Sequence, residues 1–488
     1  MIRNPIRGIF CNRTLNLRTI RAIGYDMDYT LIHYHMAAWE QHAYDFIKEK
    51  LQAAGWPIAH LKFEHDLVMR GLIIDTEYGN VVKANRFGYI KRAFHGTTPL
   101  DFEIQRQLYQ RTLVDLSSPR WVFLNTLFSI SQACLFMQLV DLLDADRLAG
   151  SMGYADLHKE LRQFFDEAHM EGKLKAEIIN APERFIILDE DMPLALLDQK
   201  EAGKKLLLIT NSDWSYVVPI MSYVFDRFLP DKMTWRDLFD IIIVSARKPD
   251  FFSFSMPTFQ VVSEDGLLRP YRGPLLLGGI YMGGNAALVE QSLGVRGEEV
   301  LYVGDHIFVD VNISKSILRW RTGLIVRELE EEIVVLEQFK EDQAKLTRYM
   351  EKKELLESDY YQLRLDLQRK QRGYEPHSSR SAGKIRRAMM QIQTRLAELD
   401  QKIAPLAEAA GNLLNPNWGL LMRTGNDKSH MARQIERYAD IYTARVSNFM
   451  HHTPFVYLRS QRGSLPHDPI TPRRGPGKHS RQSTRAGT

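Results

Sequence analysis

Four short apolar runs constrain this chain more than any other feature, because each one ends in a residue that can carry chemistry. They are Ile20 to Tyr25, Lys204 to Ile209, Asp240 to Ser245 and Glu299 to Gly304. Runs of this length predict strands buried on both faces, as in a parallel sheet that gathers its ligands at its carboxyl edge. To that edge the sequence delivers Asp26 and Asp28, then Thr210 with Asn211 and Ser212, then Lys248, then Asp305 and Asp310.

These residue types, in this order, suit phosphoryl transfer. An aspartate fixed at a strand end can attack phosphorus and split one hard displacement into two easier ones. A second acid two residues on can give a proton to the leaving oxygen and later take one from water. A threonine hydroxyl with nearby backbone N–H groups suits a phosphate oxygen, and a lysine sets a point charge against the charge that develops there. A glycine followed by acids offers hard oxygen ligands suited to Mg²⁺. Singly, each has a commoner explanation: a threonine after a strand is usually a helix cap, a lysine before proline a loop residue, Gly-Asp a turn. Four such residues in sequence, each after an apolar strand, argue for a single site.

Between Thr30 and Lys204 the chain is far too long for a loop and predicts an inserted cap over 34–200, mainly helical, that selects the substrate. The catalytic core is then expected from 1–33 and 201–328. Within the insertion Arg162, Asp166 and His169 fall on one helical face, which periodicity alone reads as a solvated face with an Arg–Asp pair. Phe128, among Leu124, Leu127 and Leu135, suits either a plain core or a ring that stacks on a flat base with Asn125 beside it. Farther on, 329–410 predicts two long helices broken between Gly373 and Gly383, a hairpin leaning on the core. The stretch 411–458 is expected to pack on the core or at a subunit interface.

At 488 residues with 44% hydrophobic content, the chain can bury a large core. Its two cysteines, Cys11 and Cys134, cannot make a disulfide framework, and a reducing cytoplasm fits. Neither a signal segment nor an apolar run long enough to cross a bilayer is read. The formal net charge of +4 comes from the tail, which from Arg459 to Thr488 carries seven Lys or Arg against one Asp, while the remainder carries 57 basic and 59 acidic residues. Rich in Pro, Gly, Ser and Arg, that tail predicts disorder; non-specific contact with RNA, acidic lipid or a partner is weighed against simple solubilisation.

The motifs DMDYTL at Asp26 to Leu31, TNSD at Thr210 to Asp213, ARKP at Ala246 to Pro249 and GDHIF at Gly304 to Phe308 resemble those of the haloacid dehalogenase-like superfamily. More narrowly, they resemble the cytosolic purine 5′-nucleotidases that prefer IMP and GMP, from about Ile20 to about Tyr457. The resemblance implies a Rossmann-like parallel-sheet hydrolase core with a cap. It makes Asp26 the nucleophile and Asp28 the general acid and base, with Thr210, Asn211, Ser212 and Lys248 at the phosphate. Mg²⁺ would be held by Asp26, the backbone carbonyl of Asp28, and Asp305, with Asp310 a candidate to support them. Arg162, Asp166, His169 and Lys175 match the family's base-recognition helix, and Phe128 and Asn125 its Asn-Thr-Leu-Phe segment.

The same resemblance implies a homo-oligomer, dimer or tetramer, and transfer of phosphate to a nucleoside. It also implies a nucleotide effector near the GDHIF helix, where Phe308 matches the family's aromatic residue. Two departures stand out: Lys315-Ser316 replaces an expected lysine pair, and the tail is basic where animal members have an acidic one. The rival readings are a phosphatase of another nucleotide or of a sugar phosphate, and a non-catalytic nucleotide-sensing or RNA-binding scaffold. Retention of both acids at the first motif argues against the scaffold.

Overall fold

The computed structural model describes residues 4–148, 152–170, 173–230 and 232–461, without the side chains of 168–170 and 173. Seven parallel strands form its centre: β1 (Ala22–Tyr25), β2 (Lys205–Ile209), β3 (Ile241–Val244), β4 (Gly279–Gly283), β5 (Val300–Gly304), β6 (Arg321–Ile325) and β7 (Ile441–Thr443). Their order across the sheet is β7-β6-β5-β1-β2-β3-β4. Antiparallel strands extend both sides to ten: Phe10–Cys11 beside β7, and Thr258–Val261 then Leu268–Tyr271 beyond β4.

The four apolar runs of the sequence are thus the four neighbouring central strands. All of their strand residues are buried except Lys205 at the start of β2, as expected where helices cover both faces of a parallel sheet. The chain runs outward from β1 through β2, β3 and β4, then crosses back to lay β5 on the other side of β1. That reversal is a topological switch point, where the loops leaving adjacent strands diverge and open a crevice at the carboxyl edge. Tyr25 pairs in register with Leu208 and Val303, so Asp26 stands one residue beyond the paired edge with Ile209 and Gly304 at its sides.

The insertion between β1 and β2 leaves and returns through a two-stranded hinge, His33–Tyr34 against Ile186–Ile187. Its helices include α1 (Met36–Ala53), α2 (Ile130–Asp144), α3 (Tyr154–Met170) and α4 (Lys173–Asn180). It also holds a five-stranded antiparallel sheet between Ile73 and Phe123. Contrary to the expectation of no span-length run, Leu127–Asp144 is long and apolar enough by composition to cross a membrane, yet 67% of it is buried within the protein. It is the core helix of the insertion, which explains its composition without a bilayer.

Past β6, α5 (Lys340–Arg372) and α6 (Ala382–Gly411) form the expected hairpin. It does not lean on the sheet: α5 has no buried residue, and the two helices hold each other through contacts such as Lys353 with Asp400 at 2.6 Å. Trp418 and Tyr442, left between core and subunit contact by the sequence, both pack internally. The Trp418 indole donates to the Leu67 carbonyl at 2.8 Å and lies 4.6 Å from the Phe94 ring, and Tyr442 stacks on Phe10. Residues 462–488 of the tail lie outside the described residues.

Candidate active site

Asp26 is anchored by its backbone N–H, which donates to the Val303 carbonyl at 2.9 Å, and its side chain lies at the switch point. The Lys248 ammonium donates to Asp26 Oδ1 at 2.7 Å, to Asp310 Oδ1 at 2.8 Å and to the Tyr302 hydroxyl at 2.9 Å. All three of its protons are therefore directed. Burial pushes the Asp26 carboxyl up to about 7 despite the pull of Lys248. Burial also pulls the Lys248 ammonium down, but Asp26 and Asp310 outweigh it and hold the lysine well above its usual range.

The loop that carries Lys248 is held by Asn211. Its side chain accepts from the Lys248 N–H at 2.6 Å and donates to the Lys248 carbonyl at 3.0 Å. That amide, expected beside a phosphate, is thus committed to placing the lysine. Thr210 is fully buried at the end of β2, and its Oγ1 accepts from the Ser212 N–H at 3.0 Å, leaving its own hydroxyl proton free to donate.

Asp28 sits in a cage of hydroxyls. Ser212 Oγ donates to one of its oxygens and Tyr34 Oη to the other, each at 2.5 Å, and Tyr34 is in turn 2.8 Å from Tyr216 Oη. Lys175, from α4, donates to Ser212 Oγ at 2.8 Å and lies 4.6 Å from the centre of the Tyr216 ring. The insertion thus delivers a cation directly to the motif residues of the sheet.

Asp26, Asp305 and Asp310 form the third part of the site, with one oxygen from each all within 4.8 Å of one another. The close approach needs Gly304, since a Cβ there would lie 2.4 Å from Asp310 Oδ2. Both Asp310 oxygens are already used, Oδ1 by Lys248 and Oδ2 by the His306 N–H at 3.1 Å, which fits the supporting role expected of it. Asp305 Oδ2 is buried with no partner among the described residues, and burial, then the charges of Asp310 and Asp26, hold its carboxyl well above the usual range. An orphaned buried oxygen beside the Asp26 carboxylate is a donor set fit for a hard divalent cation.

The other insertion residues are placed differently. Arg162 and Asp166 form an i, i+4 pair on α3 at 3.7 Å with side chains 66% and 65% exposed. His169 lies on the same helix, and its side chain is outside the described residues. Phe128 is half-buried and meets Tyr29 and Trp39 edge-on, at 4.6 and 5.6 Å between ring centres. Asn125 and Arg162 line a separate cleft of about 800 Å³ together with Phe308, Arg433 and Arg437; Asp26, Asp28, Asp305 and Asp310 do not line it. The sequence reading did not find Tyr34, Tyr216 or Tyr302. Tyr302 left a usable signal, a phenol inside an apolar strand, whereas nothing in the local pattern marks Tyr34.

Asp26 at the switch point of a parallel sheet, with Asp28 two residues on, Lys248 beside it and an acid cluster, is an arrangement suited to phosphoryl transfer. The chain belongs to the 5′-nucleotidase family, whose model matches residues 9–470. It is therefore a nucleotide phosphatase by family. It is 28% identical over 481 residues to a 5′-nucleotidase domain-containing protein of Dictyostelium discoideum, covering 95% of this chain and 75% of that one. It is similarly 27% identical over 484 residues to human 5′-nucleotidase domain-containing protein 2, covering 95% of this chain and 85% of the human protein. Among solved structures, a predicted phosphoglycolate phosphatase from Haemophilus somnus matches 63% of this chain and 86% of its own at 14% identity, with a TM-score of 0.28. An archaeal β-phosphoglucomutase from Pyrococcus matches 63% and 87% at 9% identity, with a TM-score of 0.30.

Proposed function

We propose that the protein is a Mg²⁺-dependent 5′-nucleotidase that hydrolyses purine nucleoside monophosphates, IMP and GMP, and can pass the phosphoryl group to a nucleoside. The observation that carries the chemistry is the Asp26–Lys248–Asp310 network beside a caged Asp28. Asp26 attacks phosphorus while Asp28 gives its proton to the 5′ oxygen, releasing the nucleoside and leaving an aspartyl-phosphate. Asp28 then takes a proton from water, whose oxygen attacks phosphorus and restores Asp26. The cage suits both states of Asp28, because the Ser212 and Tyr34 hydroxyls can each donate or accept. Lys248 sets its charge beside Asp26, where the phosphoryl oxygens would lie, and the Thr210 hydroxyl keeps a proton to donate to one of them.

We assign Mg²⁺ to Asp26, Asp305 and the backbone carbonyl of Asp28. When bound it supplies positive charge against the phosphate oxygens. The purine preference rests on the resemblance of Arg162, Asp166, His169, Lys175, Asn125 and Phe128 to the family's base-recognition residues, and Lys175 reaches the site. The cleft around Phe308, with Arg162, Arg433 and Arg437, supports an anionic effector such as a nucleotide. A cytoplasmic homo-oligomer completes the reading, and the unpaired Cys11 and Cys134 suit that compartment.

The test is phosphate release from IMP, GMP, AMP, CMP and UMP with and without Mg²⁺, beside Asp26→Asn. Expected are IMP and GMP well above AMP, dependence on the metal, and a loss of about 10⁴-fold or more in the variant. Equal cleavage of all five bases removes the purine assignment; silence towards every nucleotide removes the activity.

A further inference from the structure

The far end of the α5–α6 hairpin has no part in the chemistry, yet it carries a dense positive charge. Residues 364–395 hold nine Lys or Arg against two acids, while the whole chain nets only +4. Arg364 and Arg372 on α5, Arg380 in the connecting loop, and Lys384, Arg386 and Arg387 at the start of α6 are all exposed. Among the described residues, the side chains of these six make no ion pair or hydrogen bond. Arg369 and Lys370, by contrast, are spent inside the turn, on the carbonyl of Pro376 and on those of Ser378 and Arg380. Of the two acids, Asp366 is likewise spent, accepting from the Ser378 N–H and hydroxyl, and Glu375, in the turn itself, accepts from the His377 N–H at 2.8 Å.

Helix stability does not explain this charge. Cations suit a helix C-terminus, so Arg372 at the end of α5 is favourable. Lys384, Arg386 and Arg387 sit in the first two turns of α6, where the free N–H groups are already positive and acids are favoured; the first turn holds none. Solubility does not explain it either, since charge of either sign serves that purpose. The projection is long as well: 33 residues of α5 span about 50 Å. A polyanion can therefore approach the tip without meeting the acid-rich remainder of the chain.

We propose that this tip binds nucleic acid through its phosphate backbone, without reading bases. Two features favour nucleic acid over an anionic membrane. Seven of the nine cations are arginine, whose planar fork pairs with phosphate and stacks on bases. Beside them stand exposed Tyr361 and Tyr374, which offer ring faces to unpaired bases. An amphipathic membrane anchor needs instead a continuous apolar face of bulky residues, and the exposed side of α5 around Tyr361 continues as Arg364, Gln368 and Arg372. The inference stands apart from the nucleotidase reading, since no hairpin residue touches that site.

The experiment is fluorescence anisotropy of a labelled 20-nucleotide poly(U) RNA against the full chain across a salt series. It is repeated with Arg364→Gln, Arg372→Gln, Arg386→Gln and Arg387→Gln combined, and with 462–488 deleted. Expected is a loss of at least about tenfold in affinity for the combined variant, with the log–log salt slope shallower by about 3, near 0.7 per lost phosphate contact on a single strand. Phosphatase turnover should stay unchanged, which also reports that the variant is folded. The milder pair Arg380→Gln and Lys384→Gln should move the slope by about half as much. An unchanged slope in both variants overturns the proposal. So does loss of all RNA binding on tail deletion with the hairpin intact, or hairpin-dependent binding to phosphatidylserine vesicles but not to RNA.

Discussion

At the edge of the central sheet Asp26, Lys248 and Asp310 hold one another at 2.7 and 2.8 Å, almost wholly buried, whereas on helix α3 of the insertion Arg162 and Asp166 stand 3.7 Å apart, mostly in solvent. The first arrangement exists before any substrate arrives. Its charges keep fixed positions because each has a partner, and such preorganisation is what lets electrostatics act on a transition state without reorganising. The second arrangement is uncommitted: an exposed pair contributes little to stability and can exchange its partner for a ligand edge. The sheet thus fixes its charges in advance, and the insertion leaves its exposed pair free to change partners.

That contrast can be broken at three points. Lys248→Met should be the most severe, because it leaves Asp26 and Asp310 buried without their shared cation. Loss of turnover and about 3–5 kcal/mol of stability in denaturant unfolding are expected. If stability is untouched, the network is not preorganised. Tyr34→Phe should be intermediate: it takes one donor from Asp28, lowering kcat about tenfold with KM little changed and stability reduced by about 1 kcal/mol. A change in KM alone would move Tyr34 from proton handling to binding. Arg162→Ala should alter stability by less than about 0.5 kcal/mol while raising KM for IMP with kcat held. Should unfolding shift strongly instead, the pair belongs to the scaffold and recognition lies elsewhere.

The same division decided what the sequence disclosed. Central strands declare themselves because burial on both faces demands unbroken apolar runs, and the chemical residues come just after them. The insertion's sheet hides its nature behind polar strand residues that find distant partners. Asp75 is met by Tyr109 and Arg120, Asn80 by Tyr109, and Lys83 donates to the carbonyls of Trp418 and Leu420. Read locally, those residues argue against buried strands; only the fold supplies what satisfies them. Tyr34 is hidden in part for the same reason: it donates to nearby Asp28, but its other partner, Tyr216, lies far along the chain. The Phe308 cleft joins residues from four separate stretches, so no single motif could outline it.

The outermost parallel strand, β7, comes from near the end of the described chain, and Phe10–Cys11 pairs with it, Cys11 opposite Ile441. A nascent chain therefore holds its first strand without a partner while about 430 further residues are made, roughly 20–90 s at ordinary elongation rates. Every catalytic side chain has left the ribosome by then, yet the sheet that seats them still has an open margin on the β6 side. Newly made protein passes through an interval with its chemistry assembled and its border raw, which makes that border the place where chaperones or neighbouring chains first compete for it.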